Sequence, residues 1–290
     1  MSALPDTLCD LNGELLPLSQ AKVSVLDRGF IFGDGIYEAI PVYGRRLFRF
    51  DEHLARLARN LDKLRMAPPP GLRDREDWLA RLRRVVAGQS ADDQMLYIQV
   101  TRGVAPRDHK FPKGIKPSVI MMARRRKPPA ADLLAKGAAV ITVPDQRWAR
   151  RDIKSISLIA NVLAKQAAAE QGSLEAWLVD EAGMVTEGSS TSAWIATASG
   201  ELVTRPNGVE ILPGITRSVV VDVARELGLT LQLRPFSREE AYAAREAFLT
   251  STSNFVLPIT RIDRKPVGDG KPGPIAARLR EAYVKAAHDA

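Results

Sequence analysis

Residues 35–42 alternate between two faces, Ile36-Tyr37-Glu38-Ala39-Ile40-Pro41-Val42, and this period of two predicts a strand. Short strands are also expected over 8–13 and 21–25, with Asn12-Gly13 as a hairpin turn. Another follows the Tyr43-Gly44 turn over 46–50. The period then changes. Leu54, Leu57, Leu61 and Leu64 recur at spacings of three and four, one apolar helix face, with Asp51 at the N-cap. A second helix is expected over 74–88, with strands over 95–101 and 117–123. Beyond residue 130 both element types continue. A strand is expected over 138–143 and a helix over 156–171, stopped by Gly172. A hairpin of 175–179 and 184–196 turns at Asp180-Glu181-Ala182-Gly183. Helices over 215–227, closed by Gly228, and 274–288 complete the pattern. It is a mixed α/β (α+β) pattern in two domains, and the charged, proline-rich stretch 124–130 is the best boundary.

Composition narrows the class. The chain has 290 residues, 45% hydrophobic and 26% charged, an ordinary globular balance long enough for two cores. One cysteine, Cys9, excludes an internal disulfide framework and fits a reducing compartment, so a cytoplasmic location is expected. Met1-Ser2-Ala3-Leu4-Pro5-Asp6 has no signal-peptide character, and no stretch is long and apolar enough to span a membrane. The net charge of +8 fits either a nucleic-acid binder or a protein that attracts small anions. The densest basic run, Arg124-Arg125-Arg126-Lys127, has no interleaved aromatics for base stacking and reads as a solvated linker.

Several segments are candidates for chemistry. Lys154 lies between Trp148 and an apolar run, Ile156, Leu158, Ile159, Val162 and Leu163, where partial desolvation favours a nucleophilic amine. A lysine at a helix start also reads as an ordinary solvated side chain. Leu212-Pro213-Gly214-Ile215-Thr216-Arg217 runs into a helix N-terminus, whose N–H groups suit a phosphate. The same residues serve equally as a turn and a cap. Two hydroxyl-rich loops, 250–254 and 186–192, read as phosphate ligands or as turns, and the second carries Glu187. In the first half, glycines punctuate 27–38, and Arg107 and His109 share a loop able to bind a carboxylate. Arg56 lies off the leucine stripe and reads by itself as a solvated arginine.

In combination these motifs resemble a known family. Asp27-Arg28-Gly29…Gly33-Asp34-Gly35-Ile36-Tyr37-Glu38, Glu52-His53-Leu54-Ala55-Arg56-Leu57, Asp152-Ile153-Lys154-Ser155, Asn161-Val162-Leu163-Ala164-Lys165-Gln166, Thr186-Glu187-Gly188-Ser189-Ser190, Gly214-Ile215-Thr216-Arg217 and Thr250-Ser251-Thr252 stand in the order of the class IV, fold-type IV aminotransferases. Within that family, Val100-Thr101-Arg102-Gly103 followed by Pro106-Arg107-Asp108-His109 is most similar to the D-amino acid aminotransferases. The resemblance implies a small N-terminal α/β domain over 1–122, a linker over 123–130 and a larger domain over 131–290 carrying Lys154, with pyridoxal 5'-phosphate in the interdomain cleft. Lys154 would hold the cofactor as a Schiff base and shuttle the substrate proton. Glu187 would face the pyridine nitrogen and Leu212 the ring. Arg56, Ile215, Thr216, Ser251 and Thr252 would hold the phosphate. Tyr37, Arg107 and His109 would trap the substrate carboxylate. The arginine and histidine would come from a second subunit, which implies a homodimer.

The expected reaction is transamination between a D-alanine-like amino acid and a 2-oxo acid such as 2-oxoglutarate or pyruvate, with no metal, nucleic acid or membrane partner. Alternatives on the same fold are a branched-chain L-amino acid or (R)-amine aminotransferase and an aminodeoxychorismate lyase. From another class, the charge alone supports a non-catalytic basic nucleic-acid-binding protein. Ser192, Arg151 and Ser253-Asn254-Phe255 depart from the D-specific pattern and bear on side-chain range.

Overall fold

The structure, a computed structural model, describes residues 7–289. The N-terminal hexapeptide read above for a targeting signal lies outside the described residues. The chain divides into two compact units. Unit 1 is Met1–Arg126 with Ile153–Ser157, and unit 2 is Lys127–Asp152 with Leu158–Ala290. The mixed α/β class expected from the periodicity holds.

Unit 1 runs β1 (Leu8–Leu11), β2 (Glu14–Pro17), α1 (Arg28–Phe32), β3 (Gly35–Tyr43), β4 (Arg46–Leu47), α2 (Phe50–Lys63), α3 (Arg75–Ala87), β5 (Gln94–Thr101) and β6 (Ser118–Arg125). The six strands form an antiparallel sheet in the order β2-β1-β6-β5-β3-β4. On β3 the period of two sends Ile36, Glu38, Ile40 and Val42 into the core, where α2 and α3 pack with Leu57, Leu61, Trp78 and Leu82. Tyr37 and Ala39 take the other face. Asp74 caps α3 through the Asp77 N–H at 3.0 Å. The segment 21–25 forms no strand. It has no partner strand, and Val23 and Val25 are exposed. Asp51 does not cap α2 either. Arg49 takes the left-handed cap position with φ 52°, and Asp51 and Glu52 sit in the first turn, where the helix dipole favours them.

The connection from β5 to β6 turns at Gly103. Its φ is +106°, and an added Cβ would lie 2.1 Å from the Lys116 carbonyl oxygen.

Unit 2 runs α4 (Ala131–Lys136), β7 (Ala138–Pro144), α5 (Ile159–Glu170), β8 (Glu175–Val179), β9 (Val185–Gly188), β10 (Ser192–Ala196), β11 (Leu202–Thr204), α6 (Ile215–Glu226), β12 (Leu231–Leu233), α7 (Arg238–Tyr242), β13 (Glu246–Ser251), β14 (Phe255–Ile262), β15 (Lys265–Pro266) and α8 (Pro274–Asp289). Its nine-stranded sheet is mixed: β11–β12, β14–β7 and β7–β8 are parallel, the other pairs antiparallel. Trp177, Phe236, Leu249 and Leu257 anchor its core.

Two further expectations change here. The strand over 184–196 is broken at Ser189–Thr191: β9 stays with β8, whereas β10 pairs β11 and β13. The helix expected from 156 begins at Ile159, because 153–157 first runs extended in unit 1, Ser155 bridging Ile36 and the Ile156 N–H donating to Gly35. On α5, Ala164 and Ala168 are buried while Ile159, Val162 and Leu163 are exposed.

Replacing Gly103 by alanine puts a side chain at positive φ against backbone. It is expected to cost about 1–3 kcal/mol and to lower the thermal midpoint by several degrees, measured by circular dichroism.

Candidate active site

In unit 1, β3 presents neighbouring residues to opposite faces, and both neighbours matter. Glu38 points into the core and is 1% exposed. A bare carboxylate there would be costly, so it must be paired. Arg56 on α2 pairs it through Nε to Oε1 at 2.7 Å and Nη2 to Oε2 at 2.8 Å. His53, one turn earlier, bonds Oε2 through Nδ1 at 2.8 Å. Burial pushes the Glu38 carboxyl up, but the Arg56 guanidinium and the His53 bond outweigh it and hold it at about 2. An ionised carboxylate only accepts, so His53 carries its proton on Nδ1. Burial also lowers the His53 value, against the pull of Glu38, so the ring is neutral near pH 7. The inward face of α2 is thus Phe50, His53, Arg56, Leu57, Asn60 and Leu61. Two residues of the leucine stripe predicted from spacing, Leu57 and Leu61, lie on this face, and Leu54 and Leu64 are half-buried at its edge. Arg56 is buried rather than solvated because Glu38 draws it in.

On the other face of β3, Tyr37 stacks on Tyr97 at 5.8 Å between ring centroids. Lys154 belongs to the extended segment that packs with unit 1, its carbonyl accepting the Tyr37 N–H at 3.0 Å. Its Nζ stands 4.0 Å from the Tyr37 ring centroid. Tyr37 and Lys154 are therefore brought together. Arg107 and His109 gather elsewhere, each 5.3 Å from the Phe32 ring centroid.

In unit 2 the strand break creates the second cluster. Gly188, Ser189 and Thr191 form a tight turn, the Gly188 N–H donating to the Thr191 carbonyl at 2.7 Å. Buried Glu175 captures the Ser189 and Ser190 hydroxyls, and Asn161 Nδ2 donates to the Ser189 carbonyl at 2.8 Å. Glu187, just before the turn, is 5% exposed. Its Oε1 accepts from Arg147 Nη1 and from the Leu212 N–H at 3.1 Å, and its Oε2 from the Leu212 N–H at 3.2 Å. Arg147 is itself fixed by buried Asp145, Nε to Oδ1 at 2.9 Å and Nη2 to Oδ2 at 2.8 Å. Burial pushes the Glu187 carboxyl above its ordinary value, against the pull of the Arg147 guanidinium and the Leu212 N–H.

Close by, α6 starts at Ile215 with Gly214 as N-cap and no side-chain capping bond. Thr216 is buried in its first turn. A Cβ at Gly214 would lie 3.2 Å from Ser192 Oγ, and Ser192 pairs Thr250 in the sheet, next to Ser251 and Thr252. The hydroxyls and the helix start thus converge within unit 2. Ser251 Oγ accepts the Asn254 N–H at 3.2 Å.

Sequence reading missed Glu38, His53, Asp145, Arg147 and Glu175 as parts of these clusters. A carboxylate on the apolar face of a strand was the available sign for Glu38. Nothing local marks Arg147, whose partner Glu187 lies forty residues away.

Residues 35–262 match the family described as Amino-transferase class IV. The chain belongs to that family, whose enzymes use pyridoxal phosphate. It is 38% identical over 276 residues to the D-alanine aminotransferase of Staphylococcus aureus (strain MSSA476), covering 95% of this chain and 96% of that one. It is also 38% identical over 272 residues to the D-alanine aminotransferase of Bacillus licheniformis, covering 93% and 94%. Among solved structures, the branched-chain aminotransferase of the archaeon Thermoproteus uzoniensis with norvaline superposes with a TM-score of 0.84 at 28% identity, covering 96% and 94%. Among the described residues no helix is long and apolar enough to cross a membrane.

The two buried carboxyls are shifted in opposite directions from the ordinary value. Glu38 has a folded-state value below the ordinary ~4.3, so its pairing contributes stability above about pH 4 that is lost as pH falls towards 2. The gap in urea midpoint between wild type and Glu38→Gln is expected to be widest near pH 6 and to narrow by pH 2.5. Removing a cation beside a buried carboxylate raises its value further. In Arg147→Met the Glu187 carboxyl is therefore expected to titrate at still higher pH, measured by carbon-13 NMR of the carboxyl.

Proposed function

We propose that this enzyme transfers the amino group of a D-alanine-like D-amino acid to a 2-oxo acid such as 2-oxoglutarate or pyruvate. The observation that carries the substrate reading is 38% identity to D-alanine aminotransferases over 95% of the chain. The residues present fit pyridoxal phosphate in two respects. Glu187 keeps Oε2 engaged only by one long bond, leaving acceptor capacity for a ring N–H, and α6 opens without a capping side chain, as an anion site requires. The bound cofactor supplies an electron-withdrawing ring that stabilises the electron pair left when the substrate Cα–H bond breaks.

In this reading Lys154 attaches the cofactor and its Nζ takes the proton from substrate Cα. Tyr37, in contact with Nζ, restricts where the amine travels. Glu187 Oε2 holds the proton on the ring nitrogen, oriented by Arg147 and the Leu212 N–H. Arg56, Ile215, Thr216, Ser251 and Thr252 bind the phosphate, and Leu212 packs on the ring. Arg107, His109 and Tyr37 bind the substrate α-carboxylate. Arg107 and His109, grouped on Phe32, serve in this reading the site of a second copy in a homodimer, as the family resemblance implies. Ile159, Val162 and Leu163, exposed at 71%, 57% and 59%, supply an apolar stripe suited to such an interface. The free Cys9 agrees with a cytoplasmic enzyme.

A second reading, a branched-chain L-aminotransferase, draws on the structural likeness to the Thermoproteus uzoniensis enzyme. Absorbance separates the two. The purified enzyme is expected to be yellow and to be bleached by D-alanine but not by L-leucine. Bleaching by L-leucine alone would replace the first reading by the second. Arg107→Ala is expected to raise KM for D-alanine about 10–100-fold; an unchanged KM would remove Arg107 from the carboxylate site.

A further inference from the structure

Arg107 and His109 lie on the largely exposed connection 102–117 between β5 and β6. An exposed connection of this length has few apolar contacts to hold it still. Here buried Arg28 holds its backbone, and buried Arg102, at its first residue, anchors its start within unit 1. Arg28, 3% exposed, donates through Nη1 to the carbonyls of Asp108 and Lys110, the latter at 3.4 Å. Its Nη2 donates to the His109 carbonyl at 3.5 Å. Three successive carbonyls therefore converge on one guanidinium, beneath the two side chains assigned to the carboxylate. The same group donates through Nε to Asp34 Oδ2 at 2.8 Å.

Arg102 grips that carboxylate from the other side, Nε to Oδ2 at 2.7 Å and Nη2 to Oδ1 at 3.0 Å. It lies 3.7 Å from the Phe111 ring centroid, at the far end of the loop segment. It also donates to the carbonyls of Leu64 at 2.9 Å and Arg65 at 3.2 Å, tying the loop to the end of α2. Burial pushes the Asp34 carboxyl up, but Arg102 and Arg28 outweigh this and hold it below the ordinary carboxylate range. One anion thus pairs with and orients two guanidiniums, Arg28 holding the 108–110 carbonyls and Arg102 lying against Phe111. Arg28 completes the cluster by lying 4.8 Å over Phe32, the ring that also carries Arg107 and His109.

We infer that Arg28, Asp34 and Arg102 are positioning residues that fix the 106–111 backbone and so set how tightly Arg107 and His109 hold the substrate carboxylate. The inference rests on the carboxylate reading of Arg107 and His109 given above. A bidentate pairing tolerates little displacement, since a shift of about 1 Å costs on the order of 100-fold. The planar guanidinium is suited to this because its five donors point in fixed directions, whereas a lysine ammonium is a single point of charge. Arg28→Lys therefore keeps the charge and loses the fork.

The test compares holoenzymes of wild type, Arg28→Lys, Asp34→Asn and Arg107→Ala. KM and kcat for D-alanine are measured, and amide hydrogen exchange is followed by peptide. Arg28→Lys and Asp34→Asn are expected to raise KM about tenfold or more while kcat stays within about twofold. Faster exchange is expected over 104–117, with β5 and β6 unchanged. An unchanged KM in both variants overturns the inference, whether or not the loop exchanges faster. Faster exchange across all of unit 1 also overturns it, since that marks a merely structural role. Arg107→Ala separates the two levels. If it raises KM while the other variants do not, the carboxylate reading stands and the positioning role falls. If it too leaves KM unchanged, the carboxylate reading falls and takes the inference with it.

Discussion

A carboxylate taken out of water loses several kcal/mol of hydration, and only cations and donors in good geometry restore it. The interior of this protein is organised by that constraint. Glu38, Asp34, Asp10, Asp145 and Glu187 are buried or nearly so, and each is met by an arginine: Arg56, Arg28 with Arg102, Arg81, and Arg147 for the last two. Removing one member of such a pair strands the other, which is why these pairs fix the elements that carry them. Asp10 ties β1 to α3, Glu38 ties β3 to α2, and Glu187 ties β9 to the segment after β7. Glu246 does the same with backbone, accepting the Ile275 and Ala276 N–H groups at 3.1 Å at the start of α8.

The five arginines that meet these five carboxylates cancel them, so the net +8 resides in the remaining charges of the chain. A net positive charge favours the approach of small anions such as phosphates and carboxylates.

The residues proposed to carry the chemistry stand where regular structure is interrupted. The strand predicted over 184–196 stops at Ser189–Thr191, and that stop lets Glu187 end one strand while Ser192 begins another. Glu175 enforces the interruption by holding two serine hydroxyls that would otherwise face outward. Likewise 153–157 stays extended instead of joining α5, which sets Lys154 beside Tyr37. Both departures from periodicity fall at residues of the proposed site, as expected where local preference yields to function.

Elements with strong period and clear punctuation were legible from the chain alone. β3, β5, α3, α6 and α8 can be read because apolar residues recur along each and a glycine, aspartate or proline marks an end. The order of motifs likewise identified the family and the residues to watch. Which polar residues lie inside was settled only by tertiary structure. The leucine spacing on α2 cannot show that His53, Arg56 and Asn60 face inward, because the burial of the first two depends on Glu38 arriving from another element. Nor can local sequence pair Arg147 with Glu187 or Arg28 with the carbonyls of 108–110. A buried charge is stable only where its partner lies. His53 is 15 residues from Glu38 and Arg28 is 82 from Lys110, separations that periodicity does not measure.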